Sequence, residues 1–208
     1  MAQNRNMLIT AALAIIIVIA IGIYAYTTFF TANETPSDEN NDTNETILTI
    51  QYLGYNYTYT LSDLEEFEAE TGLGRYIKTK LLPDTVVLGE SYNYTGVSIL
   101  TLLEDINVSF NDYLLNVTAT DSWTTSYTMN QTNGIVDVYD EQGNVTHNGS
   151  ALMIVAYKED GSYYSEIDPD EEIGPVRIAF IGDNTPITSS SLWAKMVASI
   201  EIVELIKA

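Results

Sequence analysis

Residues 92–106 read YNYTGVSILTLLEDI, and the fold turns on this stretch. Its first half alternates aromatic and polar residues up to Gly96 and Val97, the pattern of a half-buried strand. Ser98 then stands where a helix N-cap is favoured, and Ile99, Leu102, Leu103 and Ile106 recur at helical spacing. Downstream, LLNVTAT (114–120), SYTM (126–129), IVDVY (135–139), ALMIVAY (151–157), VRIAFIG (176–182) and ASIEIVEL (198–205) all read as strands. Turns fall at Gln142-Gly143-Asn144, Asp160-Gly161 and Gly182-Asp183, and residues 151–167 read as a hairpin about the second of them. Upstream, ILTIQYL (47–53) and YNYTYT (55–60) are short strands. Residues 62–65 (SDLE) form a capping box opening a helix of about eight residues, which Gly72 and Gly74 break. RYIKTKLL (75–82) and TVVLGE (85–90) are strands around the Pro83-Asp84 turn. Many strands with two short helices predict an α+β domain with a mixed sheet, and no internal repeat is present.

The composition narrows what such a domain can do. The 208 residues carry 8 Lys and Arg against 29 Asp and Glu, a formal net charge of −21. No basic face exists to neutralise phosphates, so nucleic acid is excluded as a partner. Cysteine is absent, which removes disulfides, zinc-thiolate and iron–sulfur sites and any thiol nucleophile. The single histidine, His147, argues against a Ser-His-Asp triad or a multi-histidine metal centre.

The N-terminus is different. Residues 7–30 carry no charge, long enough for the roughly 20 apolar residues that cross a bilayer, and Tyr24, Tyr26, Phe29 and Phe30 sit at one end, where aromatic rings favour the headgroup layer. The run is longer than a signal-peptide core and lacks a small-x-small cleavage site, so it predicts one uncleaved transmembrane helix. Arg5 precedes it and the next basic residue is Arg75, which places residues 1–6 in the cytoplasm and the rest outside. Residues 31–46 have no apolar run and form a disordered stalk, leaving residues 47–208 as an extracellular domain large enough for a core.

Sequons support that orientation independently. They begin at Asn33, Asn41, Asn44, Asn56, Asn93, Asn107, Asn116, Asn130, Asn144 and Asn148, ten of the fourteen asparagines beyond the span. Chance supplies about three at this Ser and Thr content, so the excess predicts a surface glycoprotein carrying N-linked glycans.

The order of segments resembles the molybdopterin-binding domain of the sulfite oxidase family. The family's Y/W-x-G-V segment and Leu-rich helix match Tyr94, Gly96 and Val97. Its later strand ends and hairpins match Asp121, Ser122 and Trp123, then Asp160 and Gly161, then Gly174, Pro175 and Arg177. Trp193, Lys195, Ile200 and Glu201 match its final strand. The resemblance spans residues 59–203 and implies a sulfite oxidase-like fold, with Asp121, Trp123, Arg177 and Lys195 as candidates around the cofactor cleft.

The same resemblance implies a molybdenum ligand that this chain lacks. The family's metal is held by a cysteine thiolate a few residues before the Y/W-x-G segment, whereas residues 85–89 here read TVVLG, and valine offers no lone pair. The family's upstream phosphate-binding residues have no counterpart, and the chain beyond residue 30 carries 7 basic against 29 acidic residues, −22. The expectation is therefore a surviving fold without molybdopterin or any other cofactor.

Other residues have plainer readings. Arg177 reads as an ion-pair partner, Trp123 as a core residue, and Asp168, Asp170, Glu171 and Glu172 as a solvated turn rather than a Ca²⁺ loop. Tyr55, Tyr57 and Tyr59 pack a half-buried sheet face. Three functions remain: a non-catalytic, membrane-anchored surface domain binding a ligand or envelope protein, a self-associating structural subunit of a surface assembly or filament, and a molybdenum oxidoreductase with an unusual ligand set. The composition as a whole resembles an archaeal envelope protein.

Overall fold

The computed structural model describes residues 45–79, 86–109, 112–146, 151–167 and 174–205. The apolar span 7–30, nearly all of the stalk, the sequons at Asn33, Asn41, Asn44 and Asn148, His147 and the acidic run 168–172 lie outside the described residues. Among the described residues no helix is long and apolar enough to cross a membrane.

Two mixed sheets share one core. The first contains β1 (Thr46–Tyr52), β2 (Tyr55–Thr60), β6 (Tyr113–Ala119), β7 (Thr124–Thr128) and β12 (Val197–Glu204), in the order β2-β1-β12-β6-β7. The second runs β10 (Arg177–Ile181), β8 (Leu152–Glu159), β5 (Tyr92–Ser98), β3 (Glu70–Thr79), β11 (Ile187–Ser189). Two short strands flank this path: β4 (Val86–Leu88) on β3 and β9 (Ser162–Tyr163) on β8. β1 pairs parallel with β12, and β11 parallel with β3, which makes both sheets mixed.

The first sheet obeys period-two burial. Leu48 and Ile50, Leu115 and Val117, Tyr127, Ile200 and Ile202 turn inward while their neighbours face out. They meet Val97, Met153, Val155, Ile178 and Phe180 of the second sheet in one continuous core. In the second sheet β10 is buried at every position, as expected of a strand covered on both faces. Here Ile178 N–H donates to the Ala194 carbonyl at 2.8 Å.

Helix α1 (Leu61–Glu66) starts earlier than the SDLE pattern predicts. Thr60 is the cap: its hydroxyl accepts from Asp63 N–H, and the Asp63 carboxylate accepts from Thr60 N–H at 2.7 Å. Those hydrogen bonds, the backbone one foremost, hold the Asp63 carboxyl below its usual range. Their contribution is present above the ordinary carboxylate pKa and is lost as pH falls through the lowered folded value. Thr60→Ala should lower stability by about 1 kcal/mol, whereas Ser62→Ala, exposed and outside the box, should stay within about 0.5 kcal/mol of the parent. Urea denaturation of the two variants distinguishes the two boxes.

Helix α2 (Ile99–Asp105) is capped by Ser98 as its sequence predicts and buries Ile99, Leu102 and Leu103. Two single-turn helices, α3 (Met129–Thr132) and α4 (Tyr164–Ile167), carry too little periodicity to be read in advance. Three sequence expectations are corrected. Gly72 and Gly74 lie inside β3 rather than ending an element, because a Cβ at Gly74 would stand 2.5 Å from the Phe180 carbonyl oxygen. Residues 135–139 form no strand; a lone bridge joins Tyr139 to Val145. SYTM divides between the end of β7 and α3 because Thr128 caps the helix, its hydroxyl accepting from Gln131 N–H.

Candidate functional site

Strand β5 delivers Tyr94 into the second sheet, directly opposite Glu159 on β8. β10 begins with Arg177 opposite Ala156, which itself lies opposite Gly96. The Leu192–Ala194 segment then runs alongside β10, with the Ala194 carbonyl accepting from Ile178 N–H, and brings Trp193 to the same point. The Arg177 guanidinium sits 5.4 Å from the centre of the Tyr94 ring and 5.3 Å from that of Trp193, and the two rings are themselves 5.3 Å apart. Cation–π attraction of this kind strengthens as the cation is desolvated. Trp193 is fixed from its other end, with Nε1–H donating to the Thr188 hydroxyl at 2.8 Å.

One carboxylate answers this buried cation. Arg177 Nη1 donates to Glu159 Oε2 at 3.4 Å, with the two side chains 6% and 16% exposed. Burial pushes the Glu159 carboxyl up, and the charges of Arg177 and Lys195 pull it back. Burial likewise drives the Tyr94 and Tyr164 phenols well above their usual range. Arg177 Nε and the Tyr164 hydroxyl are buried without a hydrogen-bond partner. The cluster therefore offers no thiol, imidazole or activated hydroxyl, and its one cation is already paired.

The four candidates of the cleft are brought near one another by the backbone, but their side chains do not converge. Thr120 N–H donates to the Met196 carbonyl, and Val197 N–H to the Val176 carbonyl. Gly174 abuts Met196 so closely that a Cβ there would lie 2.5 Å from the Met196 Cα. The β6–β7 turn, residues 195–196 and residues 174–177 are thus neighbours. Arg177 is buried, whereas Lys195, Asp121 and Trp123 are exposed. Trp123, expected in the core, is 46% exposed because it ends a tight turn in which Ser122 has φ 69°. Its own N–H donates to the Asp121 carboxylate at 2.9 Å.

The stretch that resemblance assigns to the metal thiolate, residues 85–89, contains β4. Val86 packs its Cγ2 against the loop at Gly143, where a Cβ would come within 2.9 Å. An isopropyl group in van der Waals contact has nothing to donate to a metal. These residues do not fit a molybdopterin: the thiolate is missing and the arginine is committed to Glu159.

A separate cleft of about 690 Å³ opens between Glu70 of β3, the 139–142 loop and residues 182–187. Glu70, Asp140, Glu141 and Asp183 line it, without a lysine or arginine among the lining residues. The Asp140 carboxylate is held low by hydrogen bonds from the Asn144 side chain and backbone. Residue-by-residue reading did not anticipate this cleft, because its acids are scattered over one strand and two distant loops.

Of the described sequons, Asn56, Asn93, Asn107, Asn130 and Asn144 are exposed, and Asn116 is half-buried on a central strand.

No family model matches the chain, and no curated protein matches it. Among solved structures it is similar to the sulfane dehydrogenase SoxCD from Paracoccus pantotrophus, with a TM-score of 0.54 at 17% sequence identity. The match covers 81% of this chain and 40% of that one, so this chain spans well under half of the neighbour's length. The fold is sulfite oxidase-like. At this identity the likeness concerns the fold alone and transfers no activity.

Proposed function

We propose that this chain is a membrane-anchored, N-glycosylated surface protein whose sulfite oxidase-like domain binds a ligand or another envelope protein and performs no molybdenum chemistry. One observation carries the reading. Where an anionic cofactor would need a free cation, Arg177 is buried against Glu159 and packed on the touching rings of Tyr94 and Trp193. The acid-lined cleft adds a reason of charge: it favours neutral or cationic partners over anionic ones.

Elemental analysis of protein purified natively from its membrane should find molybdenum and tungsten well below one atom per chain. A stoichiometric metal signal, with pterin fluorescence after oxidation, would restore the oxidoreductase reading. Topology has its own test. Protease added to intact cells should release a glycosylated fragment by cutting within residues 31–46, with a deglycosylated control for steric protection by sugar. Protection in intact but not lysed cells would reverse the orientation.

A further inference from the structure

The outward face of the five-stranded sheet has an unusual composition. One cross-strand row runs Asn56, Gln51, Glu201, Asn116, Ser126, one residue from each strand. The next runs Thr58, Thr49, Ser199, Thr118, Thr124. Nine of these ten side chains are neutral and polar, in a chain of net charge −21. All ten are exposed or half-buried. Neighbouring strands lie about 4.8 Å apart, so the face is a lattice of hydroxyls and amides. Each hydroxyl both donates and accepts. Such a lattice suits a neutral polyhydroxylated ligand and has too little charge to hold an ion; the half-buried Val203–Leu114 pair continues the same face beyond the first row.

An attachment point for such a ligand stands at the edge of the same lattice. Asn56-Tyr57-Thr58 is a sequon, and Asn56 is exposed on β2, an edge strand, at the end of the first row. Asn116 also opens a sequon, but its amide is occupied. Ser126 Oγ donates to its Oδ1 at 2.7 Å, and its Nδ2 donates to Glu201 Oε2 at 3.4 Å. β6 is moreover flanked on both sides, by β12 and β7. We propose that an N-linked glycan on Asn56 lies across this face, hydrogen-bonded to the two polar rows, with Asn116 serving as part of the platform. The inference rests on the surface-glycoprotein reading and adds to it a place for one sugar chain. It also shields the open edge of β2, which would otherwise invite strand pairing with another copy.

The test uses the full chain purified natively. Glycopeptide mapping should find Asn56 occupied and Asn116 bare. Asn56→Gln should lower Tm by about 2–4 °C, the shift of a modest stabilisation in a domain of this size. Thr118→Val keeps shape and strand propensity but removes a hydroxyl. It should lower Tm in the glycosylated chain and leave it unchanged in the Asn56→Gln background, a coupling that a purely structural threonine would not show. Asn56 bare while Asn93, Asn107, Asn130 or Asn144 carry sugar overturns the proposal and leaves the surface-glycoprotein reading standing. Additive effects of the two substitutions overturn it as well. A glycosylated dimer that Thr118→Arg dissociates would assign the face to a second copy. Absence of sugar from every sequon would overturn both readings.

Discussion

Arg177→Ala is expected to lower the unfolding free energy by about 3–5 kcal/mol, the range for breaking a buried ion pair from one side. The substitution leaves Glu159, only 16% exposed, without its cation. It also empties the space beside the Tyr94 and Trp193 rings, both of which now pack against the guanidinium. Arg177→Met combined with Glu159→Gln should cost less than Arg177→Ala alone, because the isolated charge goes and volume is kept. The loss in Arg177→Ala should also depend on pH. Without Arg177, burial raises the Glu159 carboxyl further. A carboxyl with a raised folded pKa contributes stability below its unfolded pKa and loses it as pH rises through the folded value. The deficit of Arg177→Ala should therefore be smaller near pH 4 than near pH 7. Urea titrations at both pH values measure this, and a loss under about 1 kcal/mol at neutral pH would show that the pair is far better solvated than its burial implies.

How much of this could be read from residues alone depended on whether the signal was local. Residues 92–106 gave up their strand, cap and helix because Ser98 and the Ile99, Leu102, Leu103 spacing are contained within three turns. The β8–β9 hairpin was legible for the same reason, since Asp160 and Gly161 both adopt positive φ, 49° and 85°. The glycines of β3 misled. Gly74 looks like a breaker in sequence, yet its role is set by Phe180, more than a hundred residues away. Trp123 misled in the opposite sense, because its residue type argues for burial while the turn that holds it forces exposure. At the site, sequence pointed to Arg177 and to an acidic partner without naming one. Glu159, Tyr94 and Trp193 converge on it only through the register of β10, β8 and β5 and the passage of residues 192–194 alongside β10. The two polar rows of the first sheet were hidden likewise: five strands contribute one residue each, and only the pairing register aligns them.

Gly96→Ala should be among the most damaging single methyls that can be added to this domain. A Cβ on residue 96 would lie 2.1 Å from the Val155 carbonyl oxygen and 2.5 Å from the Ala156 Cα, both backbone atoms of β8. Neither can swing aside as a side-chain tip would. β8 is pinned from its other edge by β10 across five consecutive pairs, and residues 153–157 are all buried. Relief therefore requires β5 and β8 to part, and with them Tyr94 and Glu159, which lie opposite each other a few residues away. The expected cost exceeds about 4 kcal/mol, a size reserved for disrupted cores, and circular dichroism should show no cooperative transition at room temperature. Gly161→Ala is the control. Gly161 has φ 85° and nothing within 4 Å of a Cβ, so it should cost only about 1–2 kcal/mol of left-handed backbone strain. Equal losses for the two would mean that β5 and β8 can separate without unfolding. The predicted inequality also explains why the Tyr-x-Gly-Val pattern stands in a chain that lacks the metal thiolate. Gly96 is required by the close approach of two strands, a demand of backbone packing that does not depend on a cofactor.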